Sequence, residues 1–490
     1  MKRICSAALV CVLLLTAVLA IPVNAAAFTD VASASWYAAA VDYCTERGYF
    51  NGTSATTFSP DATMSRAMLV TVLYRHSGDP KPPVTSAFPD VPDNTWYTTA
   101  VAWATENRIV NGATDGCFHP NDPVTRQEIM ALLHRYVVYR GNTVNTEDSR
   151  ILDSFRDAGS ISNWAKESAR WCTSVGIICG SNGAIGPTAS STRAQVATVL
   201  MRLDAYLKGE LETITTVGSE YGTFVPAGQF RIVTGSSILF RIESAAQYAP
   251  ETVTLNGEPI PAAGTYTVRS SSGPQVLSAS FRPCVGDPYS GYGQLVNRTY
   301  AIPGADFGEP ADLVIPQTAY YNNVHLREEA AAAADRMIGD YLAEYPESEL
   351  FVQSGYRTLA TQIYLYDRQV SRKDGNIYAA GVVSAVPGTS EHQLGLAIDL
   401  SCDGTLEQTF GSTQQGLWLA EHCTEYGFIL RYPADKERVT GIFYEPWHFR
   451  YVGPEIAADM EAWGITTLEE YYGLYLAPED LTPYLPYLNP

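Results

Sequence analysis

Pro387-Gly388-Thr389-Ser390-Glu391-His392-Gln393-Leu394-Gly395-Leu396-Ala397-Ile398-Asp399 is the stretch around which the chain is organised. It is answered about fifty residues later by Tyr444-Glu445-Pro446-Trp447-His448-Phe449-Arg450. Together they offer two imidazoles, one carboxylate ligand and one spare carboxylate. A catalytic zinc takes three protein ligands and leaves a fourth position open. His392 and Asp399 lie seven residues apart, too far for the i, i+4 pair of a helical zinc motif. Gly395 between them predicts a turn or tight strand pairing that converges the two side chains. His448 is the candidate third ligand, and Glu445, three residues before it, can reach a water at the open position without ligating.

Upstream, Leu326–Tyr345 has helical periodicity, with Leu326, Ala330, Met337 and Tyr341 on one face and Pro346 as its stop. Leu350-Phe351-Val352 reads as a strand that leads into Ser354-Gly355-Tyr356-Arg357 and a second helix carrying Gln362. The pattern Ser-x-His-x-x-Gly-x-Ala-x-Asp, the later Glu-x-Trp-His and the Ser-Gly-Tyr-Arg element resemble the VanY-type D-alanyl-D-alanine carboxypeptidases, within the wider zinc D,D- and L,D-peptidases. The resemblance runs over 295–476. It implies an α+β domain with Zn2+ on His392, Asp399 and His448, and Glu445 as general base. Arg357 would grip substrate or the developing oxyanion, and Gln362 and Ser390 would touch substrate. Glu391, Asp367 and Asp403 read as surface charges, and Tyr444, Trp447 and Tyr451 as walls of the site.

The front of the chain is repetitive. Phe28, Asp30, Trp36, Asn51-Gly52, Phe58-Ser59-Pro60 and Ser65-Arg66 return sixty residues later as Phe88, Asp90, Trp96, Asn111-Gly112, Phe118-His119-Pro120 and Thr125-Arg126. A looser third copy holds Phe155, Asp157, Trp164, Gly186-Pro187 and Thr192-Arg193. Each unit predicts a helix pair, the first capped by Asp30 or Asp90 and the second by Ser65, Thr125 or Thr192. A lone pair cannot bury its apolar face, so stacking of the units is expected. The units resemble S-layer homology (SLH) repeats over 28–78, 87–141 and 154–208. That family implies an all-α cluster that binds an anionic, pyruvylated secondary cell-wall polymer. Arg66, Arg126 and Arg193 would meet its carboxylate, with Trp36, Trp96 and Trp164 beside them. The bland alternative has the arginines bracing helix ends and the tryptophans in the core.

Between the two, 213–283 alternates short apolar runs with Gly, Ser and Pro breaks, and Asn256-Gly257 marks a hairpin. It reads as a small all-β, immunoglobulin-like spacer, followed by a linker over 283–293. The expected fold class is therefore multidomain: an all-α repeat cluster, an all-β spacer and an α+β zinc peptidase.

Composition bounds the rest. The 490 residues predict roughly two to four domains. A net charge of -20 argues against nucleic acid as a partner. Lys2 and Arg3, an apolar run over 7–21 and Val23-Asn24-Ala25 read as a leader of residues 1–25, cleaved after Ala25. The expected location is then secreted and wall-associated, with no membrane partner after cleavage. Seven cysteines remain, an odd and scattered set, with Cys402 and Cys423 as a candidate bridge. The resemblance to the VanY-type carboxypeptidases implies, as substrate, a peptidoglycan stem peptide losing a terminal D-alanine. An L,D-carboxypeptidase or an endopeptidase stays open, as does a wall-binding protein without catalysis.

Overall fold

The computed structural model describes residues 28–80, 88–145, 148–304 and 308–488, so the expected leader lies outside it. The chain divides into two compact units: one runs to Val124 and includes Ser190–Met201, the other holds Thr125–Ala189 and everything from Arg202 on.

In the first unit the helices are Ala38–Glu46, Arg66–His76, Thr98–Glu106 and the start of Arg193–Lys208. Val41, Leu69, Leu73, Val101 and Trp103 form its buried interior. Among its described residues, strand content is limited to isolated bridges such as Thr63 with Thr192. Ser65 caps the second helix, accepting from the Met68 amide. The first helix departs from expectation: it opens after Tyr37, without a side-chain cap. Asp30 instead accepts from the Phe58 and Ser59 amides at 2.8 and 2.7 Å. Asp90 does the same for Phe118 and His119. These acids pin the Phe-x-Pro turns by accepting from their backbone amides.

The second unit opens with Arg126–Tyr139, whose N-terminus carries a full capping box between Thr125 and Glu128. Asp157 repeats the turn-pinning bonds, to Ile185 and Gly186. The β region follows as β1 (Leu211–Val217), β2 (Gly222–Val225), β3 (Gln229–Val233), β4 (Ser237–Ser244), β5 (Tyr248–Leu255), β6 (Glu258–Ile260), β7 (Thr265–Arg269) and β8 (Gln275–Pro283). One sheet has the order β3-β1-β8-β5-β6 and the other β2-β4-β7. Phe224, Phe230, Phe240 and Tyr266 pack their rings together in the interior. Asn256 and Gly257 both take positive φ in the β5–β6 turn, as the hairpin signal requires.

This region is no free spacer. Ala249 of β5 and Cys284 share a core with Ile429, Ile456, Met460 and Tyr471 of the peptidase region. Buried Arg282 donates to the Tyr471 carbonyl at 2.6 Å. The expected linker over 283–293 is packed as well: a Cβ on Gly286 would sit 2.5 Å from Ile456.

The peptidase region adds β9 (Leu313–Val314), β10 (Leu326–Arg327), β11 (Phe351–Ser354), β12 (Ala397–Ser401), β13 (Phe428–Leu430) and β14 (His448–Tyr451). Its central sheet has the order β11-β12-β14-β13 with antiparallel neighbours. The helix Glu328–Glu344 buries Ala330, Ala334, Met337, Ile338 and Tyr341 in the core that also holds Val352, Ile398 and Phe449 of the sheet. Burying each of the larger side chains stabilises the pair by about 1.5–3 kcal/mol. Leu326 belongs to β10 rather than to this helix. The described cysteines are all free, so the candidate Cys402–Cys423 bridge is not formed.

Candidate active site

The sheet register builds the site. Asp399 on β12 is the Cα partner of Ser354 on β11 and of His448 on β14. The three residues therefore form one row across three strands, and opposite residues of antiparallel strands share a face. His392 arrives from the other direction, on the 3-10 turn Glu391–Leu394. Gly395 ends that turn at φ 69°, and a Cβ there would press on Leu313 and Arg327 at 3.0 and 3.1 Å. Glycine thus lets the chain reverse from His392 into the strand that carries Asp399.

His392, Asp399 and His448 offer ligand atoms within 4.8 Å of one another, and all three are buried. His392 Nε2 lies 3.3 Å from Asp399 Oδ2, and His448 Nδ1 lies 3.2 Å from Asp399 Oδ1. His392 Nδ1 is 2.7 Å from the Gly355 carbonyl, which fixes the proton there and leaves Nε2 for the site. Glu445 stands beside the cluster, 3.6 Å from His448 Nδ1. Arg357 follows β11 and donates from Nη2 to Asp399 Oδ2 at 2.6 Å and to Ser354 Oγ at 2.9 Å.

The electrostatics follow from burial among opposed charges. Asp399 is held well below the usual carboxylate range: burial opposes this, and His392 and Arg357 outweigh it. Burial takes the His392 ring down to about 4, and the Arg357 charge adds to the fall. Burial also lowers His448, but the Asp399 and Glu391 carboxylates prevail and hold it up at about 9. Burial pushes the Glu445 carboxyl up to about 7, with His448 pulling against the rise and Asp399 adding to it.

These residues open on a cavity of about 270 Å³, also lined by Gln362, Arg368, Ser390, Tyr432 and Trp447. Gln362 is buried and donates to the Ala385 carbonyl at 2.8 Å, while its Oε1 has no partner among the described residues. Two imidazole nitrogens and one carboxylate, converging beside a cavity, are a donor set that suits zinc with one position open. Tyr451, expected in the wall, lies in the core behind the sheet. Sequence reasoning missed Tyr432, whose ring centroid is 4.8 Å from that of His448. It also misjudged Glu391, which is fully buried between Arg431 and Arg450. The remaining trace of that network in the sequence is an arginine embedded in each of two apolar runs.

In the repeats, Arg66 Nε donates to the Phe118 carbonyl, Arg126 Nε to Ile185 and Arg193 Nε to Phe58, at 2.8, 2.6 and 2.7 Å. The bond recurs because each arginine opens a helix beside a Phe-x-Pro or equivalent turn. Trp36, Trp96 and Trp164 are 67%, 59% and 55% exposed, so none is a core residue.

Fold and site define a class: an α+β domain with a three-ligand site for a single metal ion and a half-buried carboxylate beside it. The sequence model of the VanY family, D-alanyl-D-alanine carboxypeptidase, matches residues 323–454, and that of the S-layer homology domain matches 27–67 and 87–130. The chain is 37% identical over 191 residues to the bifunctional D-Ala-D-Ala dipeptidase and D-Ala-D-Ala carboxypeptidase VanXYC of Enterococcus gallinarum, covering 38% of this chain and 94% of the relative. It is 42% identical over 186 residues to the putative carboxypeptidase YodJ of Bacillus subtilis, covering 36% of this chain and 66% of YodJ, just under two thirds of its length. A solved structure of a mutant vancomycin resistance D,D-pentapeptidase VanY, in complex with Zn(II), is 35% identical, with a TM-score of 0.31, covering 37% of this chain and 98% of that chain. The chain belongs to the VanY D-alanyl-D-alanine carboxypeptidase family and carries S-layer homology domains in its N-terminal part.

Proposed function

We propose that the protein is a zinc D,D-carboxypeptidase, secreted and anchored in the cell wall, that removes the terminal D-alanine from peptidoglycan stem peptides. The observation that carries this reading is the convergence of His392, Asp399 and His448 beside Glu445 at one cavity. His392, Asp399 and His448 would hold the zinc, which when bound would supply Lewis acidity toward water and a carbonyl oxygen. Glu445, half-buried at the cavity and raised toward neutrality, accepts the proton of the attacking water and returns it to the leaving amine of D-alanine. Arg357 is held against Asp399 and Ser354, and its guanidinium stabilises the negative charge that develops on the scissile carbonyl oxygen. Gln362 Oε1, a buried acceptor without a partner among the described residues, takes a substrate N–H, and Ser390 contacts the peptide beside it.

The repeats place this chemistry at the wall. Trp36 and Trp96 offer exposed faces to an anionic, pyruvylated wall polymer, and the half-buried Arg66 and Arg126 supply its counter-charge, whereas Arg193 is buried on the Phe58 and Asn51 carbonyls. Anchoring raises the local concentration of enzyme at its substrate without altering the site. Among the described residues no helix is long and apolar enough to cross a membrane. Incubation of tetrapeptide and pentapeptide stems with the enzyme, with and without a chelator, tests the reading. Chelator-sensitive release of D-alanine from pentapeptide supports it, and absence of release in the presence of zinc rejects it.

A further inference from the structure

Behind His448 lies a group of buried charges that the mechanism above does not use. Glu391, Arg431, Arg450 and Glu469 have wholly buried side chains. Glu391 Oε1 accepts from Arg431 Nε at 2.8 Å and from Arg450 Nη1 at 2.7 Å. Arg431 then donates from Nη1 and Nη2 to the two oxygens of Glu469, at 2.9 and 2.8 Å. Arg450 Nη2 donates to the carbonyls of Tyr292 and Gln294. Burying such a network costs desolvation free energy, and replacing it with packed apolar groups is often neutral or better. Its retention behind a metal site therefore calls for a role.

One oxygen of the network stands apart. Glu391 Oε2 has no hydrogen-bond partner among the described residues, and neither has His448 Nε2. The two atoms face each other at 3.9 Å. A ring movement of about 1 Å would bring them to the 2.7–2.9 Å of a charge-assisted N–H···O bond. The other nitrogen of His448, Nδ1, is the one beside Asp399 and Glu445. His392 has the opposite arrangement, with Nδ1 on the Gly355 carbonyl and Nε2 toward Asp399.

We infer that Glu391 is a positioning residue: its Oε2 accepts the Nε2–H of His448 and so commits Nδ1 to the metal. The inference rests on reading His448 as a ligand. Arg431 and Arg450 fix Oε1, which leaves Oε2 as the atom that can turn to the ring. Outer-sphere carboxylates of this kind typically raise metal affinity 10–100-fold. The network thus holds a tautomer, and the two arginines keep the carboxylate aimed.

Glu391→Gln gives the sharp test. The glutamine oxygen must still face the two arginines, so its NH2 is forced toward His448 Nε2, where two donors collide. Zinc affinity of the full-length protein, measured by chelator competition, should fall about 10–100-fold. Glu469→Gln removes one carboxylate charge from the same arginine cluster without facing His448, and should lower that affinity much less than Glu391→Gln does. Long-range 15N–1H NMR of the zinc-loaded wild type should show the His448 Nε2–H protected from solvent exchange. A natively folded Glu391→Gln with wild-type zinc affinity overturns the inference, as does an equal loss in both variants. Should Glu391→Gln not fold, the wild-type spectrum decides: an Nε2–H exchanging as freely as a surface imidazole overturns it. A wild-type protein that takes up no zinc would instead overturn the ligand set itself.

Discussion

Asp399 and His448 are Cα partners across β12 and β14, and their side chains meet at 3.2 Å. Ligands that stand far apart in sequence are thus neighbours by strand register. The site is preorganised by the sheet, and a one-residue slip of β14 would turn His448 to the opposite face.

Glu445 is placed to move protons rather than to ligate. Glu445→Gln should retain zinc while turnover falls about 10²–10⁴-fold. Metal content and kcat measured on the same preparation check this, and unchanged turnover rejects the role.

Zinc binding should release a proton. In the metal-free protein His448 stays protonated up to about 9, whereas His392 titrates at about 4 and Asp399 below the usual range. At pH 7 His392 and Asp399 are already deprotonated, His448 must lose one proton to bind, and Glu445, at about 7, gives up part of a second as the cation arrives. Apparent zinc affinity should therefore rise with pH up to about 9 and level off above it. Calorimetry in buffers of different ionisation enthalpy counts the proton, and an uptake or a flat profile contradicts the account.

Arg357→Ala removes the donor aimed at the developing oxyanion and the partner of Asp399. The expected loss in kcat is about 10²–10³-fold. Arg357→Lys should recover only part of it, because a lysine cannot hold Ser354 and Asp399 with one fork. Full recovery by lysine would show that charge alone suffices.

The repeats separate binding from bracing. Trp36→Ala and Trp96→Ala alter exposed side chains, so stability should stay within about 0.5 kcal/mol while binding to isolated cell walls weakens. Arg193→Ala removes bonds to the carbonyls of Phe58 and Asn51, both at 2.7 Å, and should cost about 1.5–3 kcal/mol. Thermal unfolding and a wall pull-down read the two effects apart.

The cluster of His392, Asp399 and His448 was legible because its residue types and spacing are chemically specific. Glu391 was not, since a charged side chain next to a turn looks solvated. Its burial depends on Arg431 and Arg450, 40 and 59 residues away, and no local pattern reports that distance. Asp30 shows the converse error: an acid ahead of a helix suggests a cap, yet its partners are the amides of the next turn. The segment after β8 looked like a linker from its Pro, Gly and Tyr content. Its glycines instead admit close packing, with Gly286 and Gly293 against Ile456 and Tyr472.

The central claim is hydrolysis of a terminal D-alanyl bond at the His392–Asp399–His448 site. End-point mass spectrometry of pentapeptide and tetrapeptide stems, incubated with zinc-loaded protein and with the His448→Ala variant, tests it most directly. Wild type should convert pentapeptide to tetrapeptide by loss of one D-alanine and leave tetrapeptide intact, and the variant should leave both stems intact. Unprocessed pentapeptide with zinc-loaded wild type, or equal processing by the variant, would contradict it.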